Sequence, residues 1–338
     1  NLTALPAANI TGTLPAISGA NLTGVRDTTG GRKNLIINGG FDVWQRGTSF
    51  TTSAEYTADR WQLQLSGGTA TVTQQTFTVG QTEVPDNPTY YLKMNTTTAD
   101  NNCGMFYRVE DVRNGAGQNV TISFWAKGTN PSGGTFDFMS SQRFGAGGSS
   151  HVEITTPLTV TSSWAKYTHT FSLASISGKT MGTGSSLVLI IRQSAGDTST
   201  TAWNLNIANV QLELGSVATD FEHRSYGEEL RLCQRYFYRY KGATQERIYN
   251  ENAGATAKWW FLTFPEMRTT PTATFSPGWT SSSSIVVIGG TINSMSVGGG
   301  SSTAMSFRVT NSGSGGTVKA LYHTDSFSQD YCYLSAEL

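Results

Sequence analysis

"WNLNIANVQLELG", residues Trp203–Gly215, is the stretch on which the fold turns. Trp203, Leu205 and Ile207 alternate with polar residues, and Val210, Leu212 and Leu214 resume the alternation in a shifted phase. Successive side chains of a strand point to opposite faces, so this pattern is that of a strand with one buried face. The phase slips at Ala208-Asn209, as it does where a β-bulge inserts one extra residue.

The same period recurs upstream. Ala70–Val79, Asn119–Gly128, Trp164–Leu173 and Ser186–Gln193 alternate in the same way, separated by Gly, Asn, Ser and Pro. Short antiparallel strands at this spacing predict a β-sandwich over 34–222. "NLIINGGFDVWQRG", Asn34–Gly47, reads as its opening. Asn34–Ile37 is expected to be a first strand, and Asn38-Gly39-Gly40 a turn in which glycine supplies positive φ. Phe41 and Trp44 would close one end of the core, with Arg46 pairing locally with an acid such as Asp59.

Downstream, Ser225-Tyr226-Gly227-Glu228 fits a helix capping box, and Leu230, Cys233 and Phe237 share one helical face. This predicts a short helix from about Tyr226 to Arg235, within a connector over 223–236. A second β unit, 237–338, follows. Its strands are expected at Lys258–Pro265, Ser284–Ile292, Ala304–Thr310, Thr317–Thr324 and Tyr331–Leu338.

The first 33 residues are different. Asn1-Leu2-Thr3, Asn9-Ile10-Thr11 and Asn21-Leu22-Thr23 share a pattern, and Leu5-Pro6-Ala7 recurs as Leu14-Pro15-Ala16. Such a unit cannot bury its few apolar residues alone, so the repeat predicts a fibrous shaft. Leu5, Ile10, Leu14, Ile17, Leu22 and Val25 would meet those of other chains. Beginning mid-pattern at Asn1, the repeat is expected to continue N-terminally. The fold class is all-β: shaft and hinge (1–33), jelly-roll sandwich, helical connector and C-terminal β-sandwich domain.

Composition narrows the function. Of 338 residues, 14% are charged, against roughly 25% in an average soluble domain. Lys+Arg and Asp+Glu number 23 each. A neutral chain offers no electrostatic case for nucleic acid or an anionic membrane. Cys103, Cys233 and Cys332 are far apart and read as free thiols. The four histidines never take metal-ligand spacing. No nucleophile elbow, HExxH, P-loop or dinucleotide fingerprint occurs. "GAGG" at Gly145–Gly148 lacks the following helix that a phosphate cradle needs. No cofactor, metal or catalytic residue is assigned.

Aromatic side chains remain as binding candidates, because sugar C–H groups pack on exposed rings. Trp44, Trp61, Tyr90, Tyr91, Trp125, Trp164 and Trp203 fall in the first sandwich. Trp259, Trp260, Trp279, Tyr322, Tyr331 and Tyr333 fall in the second. Trp259 and Trp260 are neighbours in a strand, so one faces the core and the other is more exposed. Trp260, Trp279 and Tyr331 are the nominated glycan contacts.

"NLIINGGFDVWQRGTSF", then "YTADRW" (Tyr56–Trp61) and "NIANVQLELGSVATDFEHRSYGEELRLCQRYF", resemble a recurrent module of bacteriophage tail-fibre and receptor-binding proteins; the N-terminal repeat resembles the segment leading into it. The resemblance covers about residues 1–240. It implies a homotrimeric fibre on a virion, joined to other tail proteins through its N-terminal side. It also implies a jelly roll similar to carbohydrate-binding modules. Many such modules hold a structural calcium near an Asn-Gly-x-Phe-Asp/Glu opening. Asp42 matches that element, but Ala208-Asn209-Val210 stands where an Asp is usual, so no calcium is predicted. The expected function is non-catalytic attachment to a host-surface glycan, with a virion polysaccharide depolymerase or a purely architectural tail protein as alternatives.

Overall fold

The alternating segments form two antiparallel sheets. In a computed structural model, β1 (Ser49–Phe50), β3 (Thr69–Thr76), β4 (Tyr90–Thr98), β6 (Asn119–Thr129), β9 (Ala165–Ser172) and β11 (Asn204–Leu214) make a six-stranded sheet, ordered β1-β3-β4-β11-β6-β9. β2 (Trp61–Gln64), β5 (Gly104–Glu110), β7 (Phe136–Arg143), β8 (Val152–Leu158) and β10 (Ser186–Gln193) make a five-stranded one, ordered β2-β5-β10-β7-β8. This crossing of strands between two facing sheets is a jelly-roll sandwich. The structure describes residues 32–100, 102–132, 134–194, 197–240, 257–275, 285–287, 291–312, 321–323 and 332–338, with backbone only at 257–261, 275, 285–287, 291–298, 306–312 and 321–323. The expected shaft residues Leu5, Ile10, Leu14, Ile17, Leu22 and Val25 lie outside the described residues.

In the longer strands of the two sheets, alternate residues enter one core. Leu92 and Met94 of β4, Ile122 and Phe124 of β6, Tyr107 of β5 and Phe138 of β7 pack there with Trp203, Leu205 and Ile207. Burying side chains of this size contributes about 1.5–3 kcal/mol each. The bulge falls where the sequence phase slips: β11 pairs with β6 at Ala208↔Trp125 and resumes at Gln211↔Ser123. Asn209 has φ +48°. Val210 is thereby turned away from β6, and its N–H donates to the Gly39 carbonyl at 2.9 Å.

Residues 34–37 correct the sequence reading, for they form no strand. Side-chain bonds hold them beside β11. Asn34 Oδ1 accepts from Leu212 N at 3.0 Å and Ile36 N at 2.9 Å, and its Nδ2 donates to the Val210 carbonyl. Positive φ also falls elsewhere than expected, on Asn38 (+59°) and Phe41 (+60°) rather than on the glycines between them. Gly39 is required for closeness instead: a Cβ there would lie 2.1 Å from the Val210 carbonyl oxygen.

The helix α1 (Tyr226–Gln234) is capped by Ser225, whose Oγ accepts from Glu228 N at 3.3 Å. Its buried Glu229 accepts from Asn38 N at 2.5 Å. Beyond it, β12 (Phe237–Tyr240) pairs with β19 (Cys332–Ser335), which also pairs with β14 (Thr272–Phe275). β13 (Ala257–Thr263), β16 (Thr291–Gly300) and β17 (Ala304–Ser312) form a third ladder; β15 (Ile285–Val287) pairs with β18 (Leu321–His323). Contacts divide the chain into two units, Asn1–Lys33 and Asn34–Leu338.

Candidate binding surfaces

Alternation sends the other half of each strand outward, and on the six-stranded sheet that half includes aromatic rings. One row across the outer face reads Gln75, Tyr91, Ala208, Trp125 and Lys166, from the pairs Gln75↔Tyr91, Ala208↔Trp125 and Trp125↔Lys166. Ala208, small and fully buried, lies under the rings. Phe77 and Trp164, which flank β3 and β9, pack on it. Phe77 is 4.7 Å from Tyr91 and 5.2 Å from Trp164, and Tyr91 meets Trp164 edge-on at 5.3 Å. Offset and edge contacts of this kind hold rings in fixed attitudes. Tyr91 and Trp125 remain half-exposed.

Polar groups border these rings. Lys127 Nζ lies 5.1 Å from the Trp164 ring centroid. Asn206 donates to the Lys127 carbonyl at 3.1 Å. Burial, then the charge of Glu83, raises the pKa of Tyr91 above its ordinary value. A rigid apolar plate with ammonium and hydroxyl groups at its rim has the chemistry to stack a sugar ring and hydrogen-bond its hydroxyls.

The outer face of the five-stranded sheet is of another kind. Phe106 of β5, Val188 and Ile190 of β10 and Met139 of β7 form an apolar strip separate from the main core. Arg108, Arg192 and Arg143, one each on β5, β10 and β7, share that face by the pairs Val188↔Arg108, Arg192↔Asp137 and Ser186↔Arg143. At the Arg143 end the face opens into a cleft of about 470 Å³, lined by Gly145, Gly148, Ser149, His151 and Glu153 among others. The loop forming it is braced: Ala146 N donates to the Thr183 carbonyl, and Gly182 N to that of Phe144.

Of the sequence-stated aromatics, the structure brings together Tyr91, Trp125 and Trp164. Trp61 and Trp203 are core residues, Trp61 tilted on Phe41 at 5.1 Å, while Trp44 and Tyr90 pack partly buried against that core. Trp260 lies on β13, with its side chain outside the described residues; Trp279 and Tyr331 lie wholly outside them. The sequence held a signal for Tyr91, since Tyr90-Tyr91 are strand neighbours and must face opposite ways. It held none for the three arginines, which come from strands up to 84 residues apart (192 − 108 = 84) and are brought to one face only by sheet order.

The acids are largely engaged in holding the chain. Asp59, fully buried, accepts from Gln45 N at 3.0 Å, and burial pushes its pKa up to about 6 against the charge of Arg46. Burial works against ionised Glu110 too, but hydrogen bonds from Arg235 and Tyr236 hold its pKa below the ordinary value. Asp42 is raised to about 6 by burial and then by Glu229. Among the described residues no three His, Cys, Asp or Glu side chains gather as a metal site would need. All three cysteines are free and buried.

The fold and its two faces thus define an all-β protein with a jelly-roll sandwich. No family model matches the chain, and no curated protein matches it. Among solved structures it is similar to the enzymatically active domain of tailspike protein 4 of bacteriophage CBA120, at 14% identity and a TM-score of 0.29, over 54% of this chain and 21% of that one. It is also similar to the CBM22-1 xylan-binding domain of Paenibacillus barcinonensis Xyn10C, at 19% identity and a TM-score of 0.31, over 50% and 95%. A third is the N-terminal cellulose-binding domain of Cellulomonas fimi β-1,4-glucanase C, at 15% identity and a TM-score of 0.31, over 51% and 97%. Likeness of this degree says nothing of what this chain binds.

Proposed function

We propose that this chain is a non-catalytic tail-fibre protein of a bacteriophage virion, and that it attaches to a host-surface glycan. The observation that carries the reading is the pair of half-exposed rings Tyr91 and Trp125 on the outer sheet face, packed against buried Trp164 and rimmed by Lys127 and Lys166. A shallow plate of this kind binds one sugar weakly. Three chains joined by an N-terminal shaft would present three plates, and linked weak sites gain overall affinity by factors of roughly 10²–10⁴ without any new contact. A homotrimer bound to other tail proteins through the shaft supplies that geometry. The engagement of Asp59, Glu110 and Glu337 in structural hydrogen bonds supports the non-catalytic part.

Competition for adsorption tests this. A saturating excess of the purified chain should block adsorption of the phage that carries it, and the Trp125→Ala chain should block it at least tenfold less well. Unchanged adsorption under excess intact chain would sink the attachment reading. Release of shorter oligosaccharides from purified host capsule or lipopolysaccharide would overturn the non-catalytic part, and a monomer by light scattering the trimer.

A further inference from the structure

We propose that the outer face of the five-stranded sheet, together with the cleft at its Arg143 end, is a second binding site, for the anionic group of an acidic saccharide. The inference rests on the glycan reading for the saccharide part of the ligand, but on different residues. Three guanidinium groups from adjacent strands flank an apolar floor, Arg108 and Arg143 two rows apart toward the cleft and Arg192 at the far end. Phe106, Met139, Val188 and Ile190 of that floor are 8%, 3%, 0% and 2% exposed, so they hold little water against the charges above them. Charges over such a floor act more strongly than in open solvent.

Few carboxylates answer these arginines. Asp137 lies 3.5 Å from Arg192, which also bonds Asn102. Glu153, at the cleft wall, accepts from Ser141 Oγ at 3.1 Å and faces His151 at 3.6 Å. Among the described residues, neither Arg108 nor Arg143 has a carboxylate within 4 Å. Arg108 donates to Gln62 Oε1 at 2.5 Å, and Arg143 Nε to Ser141 Oγ at 3.4 Å. A guanidinium carries five N–H donors, so most of theirs remain for a ligand. Arg192 Nε is buried without a partner. The pKa of Arg143 is lowered first by burial and then by the charge of Arg108, with Arg192 adding to it and Glu153 opposing. The protein therefore holds like charges together at a cost that a bound anion would remove.

Shape and chemistry agree on the ligand. The cleft of about 470 Å³ falls within the roughly 300–1,000 Å³ of small-molecule sites. Ser149 and His151 offer hydrogen bonds for sugar hydroxyls. Guanidinium groups pair in two-point fashion with carboxylate and with phosphate, so the ligand is a saccharide bearing a uronate carboxylate or a phosphate ester.

The test is calorimetric titration of the intact full chain with three oligosaccharides of matched length: an oligogalacturonate, a phosphorylated oligomannose and neutral maltohexaose. The acidic sugars should bind at least tenfold tighter than maltohexaose, and which of the two binds more tightly identifies the anionic group. Arg143→Gln and Arg108→Gln should each weaken acidic binding about tenfold with the unfolding midpoint unchanged, while Arg113→Gln, a change at an exposed loop arginine, should leave it intact. Equal binding of acidic and neutral sugars, or full acidic binding by the double Arg108/Arg143 variant, overturns the proposal without touching competition by the aromatic plate. Equal binding of oligoglutamate shows charge recognition alone and overturns the saccharide part. Loss of acidic binding in Arg143→Gln, with adsorption indifferent to Trp125→Ala, would instead overturn the aromatic plate and keep this site.

Discussion

Arg46 Nη2 donates to Glu337 Oε1 at 2.9 Å across 291 positions of sequence. The same carboxylate pairs with Arg60, which is 1% exposed. Arg46 stacks 3.5 Å above the Phe237 ring, and Arg60 3.5 Å above that of Tyr236. One acid in the last residues of the chain thus pairs with two cations in the first loops of the sandwich. Glu337→Gln would leave a buried guanidinium without its counter-charge. The expected loss is about 3 kcal/mol, read as a lower urea midpoint at unchanged slope.

Gly39 is set against β11 so closely that no side chain fits. Gly39→Ala should destabilise by about 3 kcal/mol, since the new methyl meets the Val210 carbonyl, which cannot yield without breaking its bond to Asn34. Gly80→Ala is the control. Gly80 has φ +80° but open space around it, so only the left-handed backbone is penalised, by about 1 kcal/mol. Thermal unfolding of the two variants should differ clearly in midpoint, and equal midpoints would contradict the close approach.

Asp42 and Asp59 impose a pH dependence of a definite sign. Burial raises both from an ordinary 3.8 to about 6. A carboxyl raised on folding binds its proton more tightly in the native state. Its stabilising contribution is full below 3.8 and is lost as pH rises through about 6. Glu110, lowered on folding, acts oppositely, its contribution being lost in more acid solution. Glu229, also raised by burial, adds to the loss, while His169, lowered by burial from its ordinary 6.5, opposes it. The raised carboxyls outnumber it, so the unfolding midpoint should fall between about pH 4 and 6, and Asp42→Asn should make that fall shallower. A midpoint that rises over this interval in the intact chain would refute the burial argument.

Two tryptophans should separate stability from binding. Trp203 is 2% exposed, and its Nε1 donates to Gln193 Oε1 at 2.9 Å. Trp203→Ala should cost about 3–5 kcal/mol. Trp125 is half-exposed on the outer face, so Trp125→Ala should cost about 1 kcal/mol or less while weakening adsorption competition. Urea unfolding and the competition assay together distinguish the two effects.

Much of the sandwich was legible because alternation is local. Ser186–Gln193 has the bounds the sequence predicts, although the structure buries it on both faces rather than one, and the slip at Ala208-Asn209 marked the bulge. The capping Ser225 placed α1 within one residue at its far end. What failed was what depends on distant partners. Asn34–Ile37 has the composition of a strand, yet its backbone is met by the Asn34 side chain and by β11. Arg46 does lie 3.7 Å from Asp59, as local reasoning expected, but its shorter contact is with Glu337. The two outer faces were half legible: period 2 separates Tyr91 from Tyr90, whereas sheet order alone brings Arg108, Arg143 and Arg192 to one face.

The bulge in β11 also sets a clock. The groups that receive residues 34–39 belong to Val210 and Leu212, 176 and 178 positions after Asn34. At the roughly 5–20 residues per second of chain synthesis, the entry segment waits about 10–35 s for its dock to be made. During that interval Leu35, Ile36 and Phe41 have no completed core to enter. The bend that positions Val210 therefore makes closure of the sandwich a late event, for which the nascent chain depends on its surroundings to keep those side chains from one another.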